Sequence, residues 1–197
     1  MPSFIPRLEW EPINLELSTI EGNPDVTVIG IIPDNVNLYN RFPRGGLFPD
    51  TARVVNIVGN VITLSAPPGD TRASILTEFV QRLDFDYPCS VNDGEVLRVN
   101  KTISTSVAGV RQEQTNFVEG ILELEFKMIS PEIFYRLQES WFLYAAMIGE
   151  FQFYQHKETG QYITYTLDLN ELDPTRHIPK NNDFLYKFKV RFRRVVL

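Results

Sequence analysis

Two stretches of the chain alternate apolar and charged residues with a strict period of two. In the first, Leu122, Leu124, Phe126 and Met128 are interleaved with Glu123, Glu125 and Lys127. In the second, Phe184, Tyr186, Phe188, Val190 and Phe192 are interleaved with Lys187, Lys189, Arg191 and Arg193. Alternation of this length predicts half-buried β-strands, one face on a core and the other charged. The same pattern, weaker, runs over Val80–Tyr87 and ends at Pro88. Between the two strong strands lies a helix signal. Ser130 is a good N-cap and Pro131 suits the first helical position. Ile133, Phe134, Leu137, Trp141, Tyr144, Ala145 and Ile148 then recur at three-to-four spacing, and Gly149 is a terminator. A helix over 130–148 with one broad apolar face follows, with Phe134, Leu137 and Trp141 buried against the sheet. After it, Phe151–Tyr154 and Tyr162–Leu167 predict a hairpin around Lys157-Glu158-Thr159-Gly160. The loop Asp168–Asp183 leads into the last strand.

The first half reads differently. Residues 4–17 carry Phe4, Leu8, Trp10, Ile13, Leu15 and Leu17, with Pro6 and Pro12 marking bends or edges. Residues 18–80 are dense in turn formers, with short β-branched runs at Val26–Ile32, Arg53–Val58 and Val61–Leu64. Gly59-Asn60 between two such runs predicts a tight hairpin. These patterns describe a split domain, 1–17 plus 81–197, interrupted by an all-β insertion at 18–80 that forms a small barrel or a protruding arm. Ser90–Lys101 reads as a polar loop, followed by strands at Thr102–Val107, Val110–Gln114 and Phe117–Met128. The fold class is mainly β: a β-sandwich with one packed α-helix and a β-rich insertion.

Composition narrows the function. At 197 residues, 43% hydrophobic and 22% charged, the chain is an ordinary globular one with room for a sizeable core. No apolar run approaches the ~20 residues of a membrane span. The opening Met1-Pro2-Ser3-Phe4 shows no secretory signal, so an intracellular setting is expected. A net charge of −6 argues against general nucleic-acid affinity. The single Cys89 excludes an internal disulfide.

Catalytic chemistry finds little support. His156 and His177 sit in turn-like segments away from each other and from Cys89, at no metal-ligand spacing. Asp84 and Asp86, two apart on an alternating strand, read as a solvated face rather than an acid–base pair. Gly45-Gly46 and Pro67-Pro68-Gly69-Asp70 are not followed by Lys-Ser/Thr and are not phosphate loops. The expectation is a non-enzyme without cofactor or metal. For the acidic residues Glu119, Glu123 and Glu125 and the basic residues Lys187, Lys189, Arg191 and Arg193, two readings stand: cross-strand ion pairs at the surface, or faces that meet neighbours and line a channel. For the insertion, Tyr39, Phe42 and Phe48 are candidates for an outward contact surface.

Several weak motifs, in order, carry a resemblance. They are Leu83-Asp84-Phe85-Asp86-Tyr87-Pro88, Ser106–Gln112, Asn116-Phe117-Val118-Glu119, the helix with Trp141-Phe142, the Phe151–Lys157 hairpin, Tyr162–Leu167 and the ending Tyr186–Val195. Together with Met1-Pro2-Ser3-Phe4 and Leu8-Glu9-Trp10 they cover about two thirds of the chain. This pattern resembles distal tail (Dit-like) proteins of tailed bacteriophages. The resemblance implies a sandwich related to the tail-tube fold, a six-fold ring of the chain with itself, and no enzymatic activity. It implies a virion protein assembled in the bacterial cytoplasm, joining the tail tube to the hub, baseplate or fibre proteins, with DNA passing and not specifically bound. Glu119, Glu123 and Glu125 would then line the lumen, while Lys187, Lys189, Arg191 and Arg193 would face a neighbouring subunit. The alternatives are a head-proximal or tail-completion ring and, in a different class, a carbohydrate-binding β-sandwich that touches the host surface.

Overall fold

The computed structural model describes residues 5–34, 36–85, 89–106, 109, 111–147, 149–157, 160–168, 175–177 and 185–195. Expectations placed on Phe4, Asp86-Tyr87-Pro88, Val107-Ala108, Val110, Ile148, Glu158-Thr159, Phe184, Val196 and most of the 168–183 loop fall outside them. The fold is mainly β with one interrupted helix. The chain divides into two compact units, Met1–Leu8 with Leu83–Leu197, and Glu9–Arg82. Strands β1 (Arg7–Thr19) and β6 (Arg72–Asp84) each start in one unit and end in the other.

The Glu9–Arg82 unit holds most of β1, then β2 (Asp25–Val28), β3 (Phe42–Pro43), β4 (Val54–Val58), β5 (Val61–Leu64) and most of β6. The ladder order is β4–β5–β2–β1, with β3 on β6 and β6 on β1. Val58 pairs with Val61, so Gly59-Asn60 is a two-residue hairpin loop, and Gly59 takes the positive φ of 58° that such a turn requires. β2 covers only the front of the Val26–Ile32 run, which turns away at Gly30 with φ 115°. The core is aliphatic: Leu15, Leu17, Val26, Val28, Leu38, Val54, Ile62 and Leu64, closed by Phe48 and Phe79. Pro12 does not break β1. The bend falls on Glu11, whose φ of 54° is unusual for a residue with a side chain. Arg41 holds it there, donating from Nη1 to the Glu11 carbonyl and from Nη2 to Oε2 at 2.5 Å.

The other unit holds β7 (Ser90–Thr105), β8 (Arg111–Ile129), β9 (Glu150–Tyr154), β10 (Ile163–Leu167), β11 (Thr175–His177) and β12 (Leu185–Val195). They form an antiparallel array in the order β9–β10–β12–β8–β7, with β11 also on β12. The polar stretch Ser90–Lys101, expected as a loop, is the first part of β7, which pairs along β8 through Thr105. Asn92-Asp93-Gly94 are turn formers, but the ladder absorbs them. Val91 faces Leu124 and Glu95 faces Leu122, so the three residues together oppose one position as a bulge. A second correction concerns Met128. Its φ of 58° and the register shift between Tyr186 and Phe188 move the alternation by one, so Met128 is exposed and Ile129 is buried in its place.

The predicted helix exists but is not uniform. It runs as α1 (Pro131–Arg136), a π-helical stretch (Leu137–Phe142) and α2 (Leu143–Met147). Ser130 caps it, accepting a hydrogen bond from the Ile133 amide. Phe134, Leu137, Trp141 and Ala145 are buried. They meet a core made largely of rings. Phe85 stacks on Phe126 at 4.4 Å, Phe126 on Phe188 at 5.0 Å and Phe134 on Tyr186 at 4.3 Å. Trp141 meets Phe151 edge-on at 5.2 Å, and Phe151 meets Phe192 at 4.8 Å. Such pairs add about 0.5–1.5 kcal/mol each beyond burial.

Candidate functional site

β8 and β12 place the charged residues. The antiparallel register sets Glu125 opposite Lys189, Glu123 opposite Arg191 and Glu119 opposite Val195. Directly opposed residues point to the same face of a sheet. The acidic and basic stripes therefore do not face a lumen on one side and a neighbour on the other; they share one face and pair across it. Arg191 reaches Glu123 at 2.7 Å, and Lys187 and Lys127 reach Glu125 at 2.7 and 2.9 Å. Arg193 stands 4.0 Å from Glu119 and 3.8 Å from Asp168. Hydrogen bonds from Lys187 and then Lys127 hold the Glu125 carboxyl down at about 2. Carboxylates and cations thus largely compensate each other on this face.

Of the three aromatic residues expected to face outward, Tyr39 is exposed. Phe48 is not an outward contact: it is buried in the aliphatic core together with Leu38 and Ala52. The Phe42 ring, half-buried, lies 4.5 Å under the Arg82 guanidinium.

Behind Phe42 is an ion cluster that no motif announces. Glu9, with a side chain 1% exposed, accepts from Arg82 Nε at 2.8 Å and from Arg44 Nε at 2.7 Å. Arg44 also pairs with Glu78, and Arg82 with Asp50 at 3.1 Å. A carboxylate so buried needs such partners, because an unpaired buried charge is costly. The only signal for it in the sequence is Glu9 at an apolar-flanked position of a strand.

The distal part of the β7–β8 ribbon is exposed. Val96–Ser106 and Arg111–Asn116 are exposed throughout. Leu97, Val99 and Ile103, each more than half exposed, fall on one face of β7, with Lys101 between them paired to Glu113 at 3.5 Å. The opposite face is Val96, Arg98, Asn100, Thr102 and Ser104. Asn116 is an extra residue in β8, and its Nδ2 donates to Asn100 Oδ1 at 3.0 Å and Thr102 Oγ1 at 2.8 Å. The base of the ribbon is locked by a different group. Arg194 grips Glu95 through Nε at 2.6 Å and Nη2 at 2.8 Å. Gly120 makes this possible, since a Cβ there would stand 1.7 Å from Glu95 Oε1. Burial first, and Glu95 beside it, push the Tyr165 hydroxyl up to about 12.

A concavity of about 530 Å³ opens where β9 leads into β10. Leu122, Phe153 and Tyr165 line its apolar part, and Gln155, His156, Gln161 and Tyr162 its polar part. Among the described residues no group of three or more His, Cys, Asp or Glu could hold a metal ion. Cys89 is half-buried, and that burial pushes its thiol up to about 11. No helix among the described residues is long and apolar enough to cross a membrane. No family model, no curated protein and no solved structure matches the chain.

Proposed function

We propose that this protein is a structural component of a phage tail. It forms a ring of about six copies that joins the tail tube or an adaptor to the distal hub or baseplate. The β-sandwich of the tail-tube type is part of this reading, as is a non-enzymatic adaptor role in the virion. The observation that carries it is the ribbon of β7 and β8. Two strands standing alone are at best marginally stable in water. A ribbon with Leu97, Val99 and Ile103 bare on one face needs a second surface to lie on, and a neighbouring copy in a closed ring supplies one. The compensated charge face changes the earlier picture of the pore. Glu119, Glu123 and Glu125 act by pinning β8 to β12, and DNA passes a surface close to electrically neutral.

The test is electron cryomicroscopy of the tail, together with incorporation of a Leu97→Glu/Ile103→Glu variant. The expected map shows a closed ring with residues 97–103 of each copy lying on the next, and the variant is lost from particles while its Tm stays within a few degrees of the parent's. A single copy per tail, or ribbons pointing into solvent, would overturn the proposal.

A further inference from the structure

Two apolar surfaces of the unit completed by Leu83–Leu197 are exposed, and they differ in shape and charge. One is the ribbon face of Leu97, Val99 and Ile103, with Lys101 among them. Lys101 and Arg111 both reach Glu113, at 3.5 and 2.7 Å, so two cations share one carboxylate there. The other surface is the outer side of the helix. Its inner side is taken up by Phe134, Leu137, Trp141 and Ala145, whereas Leu143 is 54% and Met147 84% exposed. These two stand one turn apart in α2 and are neighbours on its surface. A solvated helix face ordinarily carries polar residues, so an apolar pair at its centre asks for a partner. Glu139, about a turn before Leu143, and Glu150, just past the helix, are exposed as well and flank that pair with carboxylates.

We infer that the ribbon of one copy docks its Leu97–Ile103 face on the Leu143–Met147 face of a second copy. This rests on the reading that the ribbon meets a second copy, and it names the surface that receives it. The spacings match. Alternate side chains on a strand stand about 6.7 Å apart. Residues one turn apart on a helix, as Leu143 and Met147 are, stand about 6 Å apart along its axis. Successive ribbon side chains can therefore seat beside both helix residues. The charges match too. Lys101 arrives where Glu139 and Glu150 stand, and such complementarity fixes register. A ribbon laid on a second ribbon would instead bring Lys101 and Arg111 of both copies together, and like charges so placed are costly. Two unlike patches also make a heterologous contact, the kind that propagates from copy to copy and closes a ring.

Cysteine pairs test this on the full chain. Ile103→Cys and Met147→Cys chains are purified apart, then mixed at millimolar concentration under mild oxidation. The parent chain, with its half-buried Cys89, is the control. The mixture should give a disulfide-linked dimer that neither variant gives alone, with the link between positions 103 and 147 by peptide mass mapping. Leu143→Glu/Met147→Glu should weaken self-association in sedimentation by about tenfold or more, with Tm close to the parent's because both side chains are exposed. A mixed link without a closed ring in tails would uphold this inference and sink the ring. Linking of Ile103→Cys to itself alone would overturn the helix as receiver and leave the ribbon a contact between copies. A mixture without linked dimer, from a chain that sediments as a monomer, would overturn both.

Discussion

The two units solve the same problem, filling the interior of a β-rich fold, with different chemistry. The Glu9–Arg82 unit is aliphatic and buries an ion cluster centred on Glu9. The unit completed by Leu83–Leu197 is aromatic, and its run of ion pairs lies on the outer face of β8 and β12, with Arg7–Asp84 and Arg194–Glu95 apart from that run. Short strands with frequent turns bring small branched residues together, and Arg44 and Arg82 reach Glu9 from the chain just after β3 and from β6. Long regular strands backed by a helix can instead align rings in layers. The difference teaches where each unit is vulnerable. One depends on a charge being satisfied, the other on volume being filled.

The largest effect is expected at the aromatic core. Trp141→Ala should lower stability by about 3–5 kcal/mol, the usual range for deleting a buried large ring. Chemical denaturation measures the loss, and residue-level amide exchange should accelerate first in β9 and β12. A variant as stable as its parent would mean that ring packing is not what holds that unit. Next comes Glu9→Ala, which leaves the Arg82 and Arg44 guanidiniums short of their shared carboxylate. A loss of about 3 kcal/mol is expected, from the destabilisation seen when one partner of a buried pair is removed. Exchange should rise in β3 and β6. If Glu9→Ala proves neutral, the contrast between the two interiors collapses.

The smallest effect concerns the outer charges and shows as a change in the acid dependence of stability. The Glu125 carboxyl is depressed to about 2 in the folded chain, below the ~4.3 of an unfolded glutamate. Its contribution is therefore complete above the unfolded value and is lost as pH falls through the folded one. Glu125→Gln should lower Tm modestly at pH 7, and its curve should meet the parent's as pH falls between about 4.5 and 2, which flattens its acid limb. An unaltered acid limb in the variant would show that Lys187 and Lys127 do not hold that carboxylate.

Much of this fold was legible in local pattern. Alternation along β8 and β12, the Ser130-Pro131 start and the Gly59-Asn60 turn each reflect forces acting within a few residues, and each stands where the pattern placed it. The misreadings share one cause. Ser90–Lys101, with the poor strand formers Asn92-Asp93-Gly94 in it, reads as a polar loop, but pairing along β8 overrides them. Met128 reads as inward because a strict period of two was extended through a residue whose positive φ resets the alternation. Phe48 reads as a surface aromatic because its neighbours are turn formers, although distant strands close over it.

The candidate sites were less legible. The charged stripes were visible as sequence, but which face each occupies is a matter of register, and register is settled by partners more than 60 residues away. The Glu9 cluster joins positions 35 and 73 residues apart, and the Glu95–Arg194 grip joins positions 99 apart. No local spacing encodes such encounters. By itself the sequence determined the period of each strand, the helix and its buried face, and the β-rich class, because these follow from burying one side of a regular backbone. Only the tertiary structure decided which charges meet and which aromatic residues are covered, because those depend on which strands become neighbours.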